Sequence, residues 1–190
     1  MKSFPTLETA RLRLRELSTA DIPEIVGLLA DPAIAEMTLN IPYPYRTSDA
    51  VYWLNTAYQG FANHEQYVFG VEQRATGLFV GGIGLTLLSR FDRAEAGYWM
   101  GRPFWGQGFA TEALQALLHF GFDNLKLHKI IATHLTKNPA SGRVMQKAGM
   151  RWEAELHQHV KRDGQYFDLV QYQLLREEYP PLPTPAAPAP

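Results

Sequence analysis

Two glycines separated by one residue constrain this chain more than any other feature of its sequence. Gly106 and Gly108 lie in "WGQGFAT", after the apolar run "AGYWM" and before a segment whose apolar residues have helical spacing. Glycine at such a junction either makes a tight turn or lets backbone amides approach an anion at the start of a helix. The chain must therefore contain a strand-to-helix connection here, and the remaining sequence decides between a turn and a binding loop.

Length and composition predict one globular domain and exclude several functions. The chain has 190 residues, of which 46% are hydrophobic and 19% charged, and its formal net charge is -1. This balance supplies no positive field, so neither nucleic acid nor a membrane is an expected partner. Cysteine is absent, which excludes disulfides and a cysteine nucleophile, and no metal site is expected. Because no apolar run resembles a signal core or a membrane span, we predict a soluble cytoplasmic protein.

The carboxy-terminal segment differs in composition from the rest of the chain. The sequence "YPPLPTPAAPAP", residues 179–190, is rich in proline and alanine and carries no charged residue. Such a segment buries little apolar surface, so we predict one folded domain over residues 1–178 and a flexible tail over 179–190. No internal repeat interrupts the domain.

Periodicity and turn signals predict a mixed order of strands and helices. Alternation in "RLRLREL" predicts a first strand, and helical spacing follows from Ile22 to Leu29, where Asp31-Pro32 is expected to stop the helix. The other predicted elements are a helix after "RTSD", strands in "QYVFGVEQ", "GLFVGGIGLTLL", "AEAGYWM" and "HKIIATHL", helices from Phe109 to about Phe122 and from Asn138 to Gly149, and a hairpin around Asp163-Gly164. This order indicates an α+β fold around a mixed sheet.

Two common phosphate-binding motifs do not match the glycine loop. A Walker A loop requires Lys after its last glycine, whereas Phe109 follows Gly108. A dinucleotide fingerprint requires a third glycine where this chain has Thr111, and it belongs to the first strand-helix unit of a domain. Consecutive amides from Gly106 to Thr111 would still converge on the first turn of a helix, which suits a diphosphate. The alternative is a connection whose glycines only turn the chain.

The segment "GYWMGRPFWGQGFATEAL" resembles motif A of the GNAT acetyltransferases, specifically their RimJ/RimL-type branch, in which a similar run binds the pyrophosphate of acetyl-CoA. Three further segments are similar to that branch and occur in the same order: "LETARLRLREL", "NPASGRVMQKAGM" and "DGQYFDLVQYQLLREEY". The resemblance covers residues 7–178. It implies a GNAT fold, with a mostly antiparallel central sheet that splays between its two middle strands, and direct transfer of an acetyl group from acetyl-CoA to an amine.

The resemblance also implies which residues bind acetyl-CoA. Tyr98, Trp99 and Met100 would pair through their backbone with pantetheine. The other expected contacts come from Trp105, Gly106, Gln107, Gly108, Phe109, Ala110, Thr111, Asn138 and Ser141. The wider superfamily usually has Gln or Arg where this chain has Trp105, so phosphate binding is expected to depend on amides rather than on a side-chain cation.

The transfer chemistry must polarise a thioester, accept a proton from the amine and protonate the departing sulfur. The candidates are the Met100 amide as oxyanion donor, Glu95 as general base through water and Ser141 as proton donor to sulfur. Each side chain has a structural alternative, Ser141 as a capping residue and Glu95 as a solvated carboxylate. The tyrosine that often donates the proton in the superfamily corresponds to Met145. His134 shares a strand face with apolar residues, and a structural role is the favoured interpretation.

The acceptor is the least determined part of the prediction. Tyr43, Tyr45 and Trp53 lie in a segment that borders the acceptor entrance in similar proteins, although core and loop packing is the favoured explanation for each. The first hypothesis is the N-terminal α-amino group of a ribosomal or other protein, and the alternative is a small amine such as an amino acid, polyamine or antibiotic. A third hypothesis is a non-catalytic acyl-CoA sensor or interaction module. The resemblance further suggests a homodimer.

Overall fold

An eight-stranded sheet forms the centre of the computed structural model, which describes residues 3–179. The strands are β1 Leu7–Glu8, β2 Leu12–Glu16, β3 Gln66–Gln73, β4 Phe79–Leu88, β5 Arg93–Met100, β6 Lys129–Leu135, β7 Arg151–Arg162 and β8 Gln165–Leu175. They lie in the order β1-β2-β3-β4-β5-β6-β8-β7. Every neighbouring pair is antiparallel except β5 and β6, which are parallel and are joined by a helical crossover.

Helices cover both faces of the sheet and create two apolar cores. They are α1 Ile22–Leu29, α2 Pro32–Met37, α3 Thr47–Ala62, α4 Phe109–His119 and α5 Pro139–Lys147, and α4 continues into a π-helical turn over Phe120–Asn124. The larger core lies under α4, where Leu114, Leu117 and Leu118 are buried against the sheet. The second core joins α1 and α3 to the opposite face, through residues such as Ile25 and Leu54.

The sheet opens between its two central parallel strands. β5 pairs with β4 along its whole length, but it pairs with β6 only from Arg93 to Ala96, opposite Lys129–Ala132. After Ala96 the two strands diverge, and β6 continues to pair only with β8 on its other side. The predicted α+β fold, with a splay between the middle strands, is therefore confirmed.

The first helix ends before Asp31-Pro32, as the sequence predicted, since α1 stops at Leu29. The sequence did not indicate that a further helix, α2, begins at this point. The Asp31 carboxylate accepts a hydrogen bond from the Ala33 amide at 2.9 Å, and Pro32 occupies the first helical position. Asp followed by Pro is an N-terminal signal as well as a stop signal, because proline lacks only an amide that the first turn does not use.

The folded part of the chain includes Tyr179, which the sequence assigned to the tail. Its ring packs on Phe122 with the ring centroids 5.0 Å apart. Residues 180–190 lie outside the described part of the chain, so the flexible tail stays a prediction. None of the helices within residues 3–179 is long and apolar enough to span a membrane.

A partly buried ion pair fixes the entry into α1. The guanidinium of Arg15 contacts both carboxylate oxygens of Asp21, at 2.7 and 2.9 Å, and its Nε donates to Glu72 at 2.8 Å. The Ser18 amide also donates to Asp21, at 2.8 Å. Burial raises the pKa of Asp21, but the hydrogen bonds from Arg15 and Ser18 outweigh burial and hold the pKa below its ordinary value.

We expect Asp21→Asn to lower the free energy of unfolding by about 2 kcal/mol at neutral pH, because it leaves Arg15 without its main partner. The folded-state pKa of Asp21 is depressed, so its stabilising contribution is present above the unfolded pKa of about 3.9 and is lost as the pH falls through the folded-state value. The difference between wild type and variant should therefore shrink at about pH 3. Urea unfolding at both pH values measures it.

The control is Glu8→Gln, which removes an ion pair with Arg13 whose side chains are 49% and 45% exposed. Its effect should stay below about 0.5 kcal/mol. Equal destabilisation by the two substitutions would show that the pair around Asp21 has no special role.

Candidate active site

A cleft of about 1660 Å³ occupies the gap between β5 and β6 and is lined from both faces of the sheet. Side chains alternate along β5, so those of Glu95 and Trp99 point toward the α1–α3 face, whereas those of Tyr98 and Met100 point toward the α4–α5 face. The cleft therefore connects two chemically different compartments through the splay.

The glycine loop forms one end of this cleft. Gly106 and Gly108 have φ angles of +74° and +81°, and a Cβ added at Gly106 would meet no atom within 4 Å. Both residues thus adopt a conformation that favours glycine, directly before the 11-residue helix α4. Of the nine predicted loop and helix contacts, all except Gln107 line the cleft: Trp105, Gly106, Gly108, Phe109, Ala110, Thr111, Asn138 and Ser141.

Trp105 connects the loop to the end of β5. Its indole Nε1 donates a hydrogen bond to the carbonyl oxygen of Met100 at 2.7 Å. The tryptophan that replaces the usual Gln or Arg of the superfamily therefore fixes the loop to the strand, and its N–H group is engaged within the protein.

The backbone of β5 beyond Ala96 is open toward β6. The Gly101 amide donates to the Val80 carbonyl of β4 at 2.9 Å. Backbone N–H and C=O groups alternate in direction along a strand. Those of Trp99 therefore point toward β4, like those of Gly101, whereas those of Tyr98 and Met100 point into the gap. The Met100 amide thus faces the cleft, as a candidate oxyanion donor must, whereas the orientation of Trp99 is contrary to the predicted backbone contact.

The Tyr98 side chain is a feature that the sequence did not reveal. Its hydroxyl lies 2.9 Å from Ser141 Oγ and donates to the Ser141 carbonyl at 3.1 Å. Burial raises the pKa of Tyr98 to about 12, although the hydrogen bond with Ser141 works in the opposite direction. Tyr98 therefore remains protonated in the physiological range, next to the serine predicted to face the sulfur. No local sequence pattern indicates this contact, because it depends on how β5 and α5 are placed relative to each other.

Asn138 joins the two compartments of the cleft. Its Oδ1 accepts from the Ser141 amide at 3.2 Å, as the predicted N-cap of α5, and its Nδ2 donates to the Met37 carbonyl at 3.0 Å. Arg162, at the end of β7, donates to two further carbonyl oxygens at the same end of α2, at 2.7 and 2.8 Å. The wall that α2 contributes is thus tied to the helix that carries Ser141.

Glu95 lies on the opposite face of β5 from Tyr98. Its side chain is exposed, and its Oε1 accepts a hydrogen bond from Thr133 Oγ1 of β6 at 2.9 Å. Between Glu95 and Trp99 is Gly97, where an added Cβ would meet no atom within 4 Å. The space in front of the carboxylate is therefore open to a ligand that enters from the α1–α3 side.

The three predicted acceptor residues differ in position. Trp53 lines the cleft with its ring centroid 6.0 Å from that of Trp99, and Tyr45 also lines it but is only 9% exposed. Tyr43 is exposed and lies in a small neighbouring depression instead. Tyr52, which the sequence did not single out, lines the cleft beside Trp53.

His134 and Met145 have structural positions. His134 is 8% exposed, its Nδ1 contacts the Leu135 carbonyl at 2.8 Å, and its ring stacks on Tyr172. Met145 is buried in the core under α5. The favoured structural interpretation of His134 agrees with this packing, although the residue also lines the cleft. The Tyr98 hydroxyl contacts Ser141 in the first turn of α5.

Charged residues are distributed unequally around the cleft. Its basic lining residues within the described chain are Arg11 beside the glycine loop, Lys137 before α5, and Arg143 and Lys147 on α5. The lining residues that α2, α3, β3 and β4 contribute include no Lys or Arg. A ligand with several phosphates fits the first group, so the site suits a cofactor with a diphosphate and a thioester that reaches the splay.

A splayed sheet with a glycine loop at one end and a carboxylate on the opposite face is an arrangement that suits a group-transfer enzyme. The sequence matches the Acetyltransferase (GNAT) domain over residues 11–151, so the chain belongs to that family. It is 30% identical over 178 residues to the uncharacterized N-acetyltransferase p20 of Bacillus licheniformis, an alignment that spans 92% of this chain and 98% of p20.

Two solved structures have the same fold. A GNAT-family acetyltransferase from Bacillus anthracis is 25% identical, with a TM-score of 0.81 over 91% of this chain and 99% of that chain. Mycobacterium smegmatis RimJ in complex with CoA-disulfide is 24% identical, with a TM-score of 0.84 over 94% and 90%. The predicted family, the acyltransferase class and the cosubstrate acetyl-CoA are thus confirmed.

The two hydrogen bonds of Asn138 can be separated by substitution. Asn138→Ser keeps an N-cap oxygen but removes the donor to Met37, whereas Asn138→Ala removes both. We expect the alanine variant to lose about 1 to 2 kcal/mol of stability and the serine variant clearly less. Both should accelerate amide hydrogen exchange in residues 34–41, at the end of α2.

Urea unfolding and hydrogen exchange on the same preparations measure the two effects. Unchanged exchange in residues 34–41 of Asn138→Ser would contradict the role of Asn138 as a link between α2 and α5.

Proposed function

We propose that this enzyme acetylates the N-terminal α-amino group of a peptide or protein, by direct transfer from acetyl-CoA. The observation that carries the proposal is the charge of the acceptor compartment. Its wall from α2, α3, β3 and β4 contributes Asp49 and no basic side chain among the described residues, and Glu95 faces it from β5. A single amine with a neutral, partly apolar body fits this compartment.

Two classes of small amine fit less well. A free amino acid carries a carboxylate close to its amine, and that carboxylate is costly to bury beside a wall that contributes no basic side chain. A polyamine needs several acceptor groups, but the Asp49 carboxylate already accepts from the Arg46 amide at 2.7 Å, which leaves Glu95 as the main anionic group. An internal peptide carbonyl replaces the free carboxylate in a peptide substrate, and Trp53 and Tyr52 offer apolar surface for the following side chains.

The alternation along β5 supports a division of chemical roles. Acetyl-CoA supplies an activated acetyl group as a thioester. The amine approaches from the face of Glu95, which takes up a proton directly or through water, and a new N–C bond replaces the C–S bond. The Met100 amide faces the gap and stabilises the carbonyl oxygen. Since an α-amino group has a pKa of about 7.7 to 8.0, much of it is neutral near pH 8 and a weak base such as Glu95 is sufficient.

Tyr98 and Ser141 act on the sulfur side by hydrogen bonding rather than by complete proton transfer. A thiol has a pKa of about 8.5, whereas burial raises the pKa of Tyr98 to about 12. Transfer of the phenol proton to a thiolate would therefore be strongly unfavourable. When the Tyr98 hydroxyl donates to Ser141 Oγ, 2.9 Å away, instead of to the Ser141 carbonyl, the Ser141 hydroxyl is free to donate to the departing thiolate and stabilises it at no such cost. Solvent completes the protonation of the thiolate.

Tyr98→Phe and Ser141→Ala should each lower kcat by about tenfold to a hundredfold, the effect of a hydrogen bond to a charged group. The double variant should lose little more than either single variant, because the two hydroxyls act as one unit. KM for acetyl-CoA should change less than about twofold. Steady-state kinetics with saturating acceptor measures these values.

Tyr172→Phe is the matched control. It removes a hydroxyl that accepts from Gln146 of α5 at 3.0 Å, on the same face of the sheet but outside the cleft lining. Its kcat should stay within about twofold of wild type. A loss in Tyr172→Phe equal to that in Tyr98→Phe would indicate a structural effect of α5 rather than a role at the sulfur.

The acceptor is tested with one residue presented in three forms: the free amino acid, its amide, and the N-terminus of a short peptide, with spermidine in parallel. We expect the amide and the peptide to exceed the free amino acid in kcat/KM by at least about tenfold, because only the free acid brings an unpaired carboxylate. Preference for spermidine or the free acid would contradict the proposal. Saturable acetyl-CoA binding with no transfer to any amine would favour the sensor.

Three further predictions accompany the proposed function, which does not require them. A homodimer and a cytoplasmic location are proposals that follow from the resemblance and the composition. A single catalytic domain over residues 1–178 is consistent with the family match over residues 11–151 and with one continuous sheet.

A further inference from the structure

The start of α4 is tied to the turn between β1 and β2 through Glu112. The Glu112 carboxylate accepts from Thr9 Oγ1 at 2.6 Å, from the Arg11 amide at 2.8 Å and from Arg11 Nε at 2.6 Å. Partial burial raises the pKa of Glu112, but these hydrogen bonds from Thr9 and Arg11 outweigh it and hold the pKa below its ordinary value. Glu112 is therefore ionised in the physiological range, and it fixes the position of Arg11.

The guanidinium of Arg11 reaches the glycine loop. Its Nη1 donates to the Gln107 carbonyl at 2.9 Å, and its Cζ lies 4.7 Å from the centroid of the Phe109 ring. Its Nη2 lies 3.3 Å from the position that a Cβ on Gly108 would occupy. Within residues 3–179, no acceptor is in hydrogen-bond contact with Nη2, and the side chain is 48% exposed. The free edge of a fixed guanidinium thus borders the loop.

We propose that Arg11 is a phosphate ligand in the cofactor site, delivered to the loop by the β1–β2 turn and positioned by Glu112. The inference rests on the proposed use of the glycine loop for the pyrophosphate of acetyl-CoA. Glu112 engages Nε, and Gln107 engages Nη1, so two N–H groups on Nη2 remain for a phosphate oxygen. Guanidinium groups suit phosphate because their donors lie in a rigid plane.

This arrangement supplies the cation that the loop sequence lacks. The superfamily's usual basic or amide residue at the start of the loop is Trp105 here, and its indole is engaged with Met100. Arg11 approaches the same loop from a position about 95 residues earlier in the chain, as the spacing from Arg11 to Gly106 shows. The contacts with Glu112 and Gln107 hold the guanidinium in place before any ligand binds. This reduces the side-chain conformational entropy that is lost on binding.

Arg11→Gln tests the proposal with two acetyl donors. With acetyl-CoA, we expect KM to rise about tenfold while kcat stays within about twofold, because the lost contact is to a part of the donor that does not react. With S-acetylpantetheine, which has no pyrophosphate, kcat/KM of the variant should equal that of wild type. Arg11→Lys should recover only part of the acetyl-CoA loss, since an ammonium lacks the planar pair of donors.

Arg13→Gln is the matched control, because Arg13 lies two residues further along the same strand region, is exposed, and does not line the cleft. Arg13→Gln should leave kcat/KM unchanged with both acetyl donors. Glu112→Gln, which keeps an acceptor oxygen but loses the charge, should raise KM for acetyl-CoA by less than Arg11→Gln and leave S-acetylpantetheine unaffected.

Dephospho-CoA, compared with CoA as a ligand in calorimetry, distinguishes the phosphates. An equal loss of affinity for both ligands in Arg11→Gln supports the pyrophosphate, whereas a loss confined to CoA would overturn it in favour of the 3′-phosphate. An unchanged KM for acetyl-CoA, or an equal loss with S-acetylpantetheine, would also overturn the proposal. Failure of the wild type to bind CoA would instead contradict the cofactor site itself.

Discussion

The early end of pairing between β5 and β6 is the constraint on which the site depends. Parallel strands need a crossover, and here the crossover contains the glycine loop and α4, so the strand that opens and the loop that follows it are one continuous segment. Beyond Ala96 the backbone groups of β5 that would face β6 have no strand partner. A backbone edge of this kind inside a protein is costly unless a ligand or water completes it, which explains why the cleft is located at the splay.

In the proposed mechanism, the splay also separates the two halves of the reaction. Glu95 and Tyr98 are three residues apart on one strand, and alternation places them on opposite faces. The amine can approach one face while the thiolate departs from the other, with the Met100 amide between them. Asn138 then couples the compartments mechanically, because one amide side chain caps α5 and anchors α2. Positioning thus comes from rigid elements rather than from long flexible side chains.

The sequence predicted what depends on local pattern, and missed what depends on contacts between distant segments. The glycines, the N-cap Asn138 and the order of strands and helices are local signals, and the structure contains them. The missed start of α2 reflects the double meaning of Asp31-Pro32. Tyr98 beside Ser141 and Arg11 beside Gly108 could not be predicted, because each requires the relative placement of separate elements. A match in family motifs indicated the residues of the loop but not the arginine that borders it.

Calorimetric titration of acetyl-CoA into Gly106→Glu tests whether the glycine loop binds the phosphates of acetyl-CoA. The matched control is Gly164→Glu in the β7–β8 turn, because Gly164 also has a positive φ, of +82°, and open space at its Cβ. Both variants carry the same backbone strain and added charge. We expect saturable binding to wild type and Gly164→Glu, and its loss in Gly106→Glu. Equal binding to all three proteins would show that the glycines serve only to turn the chain.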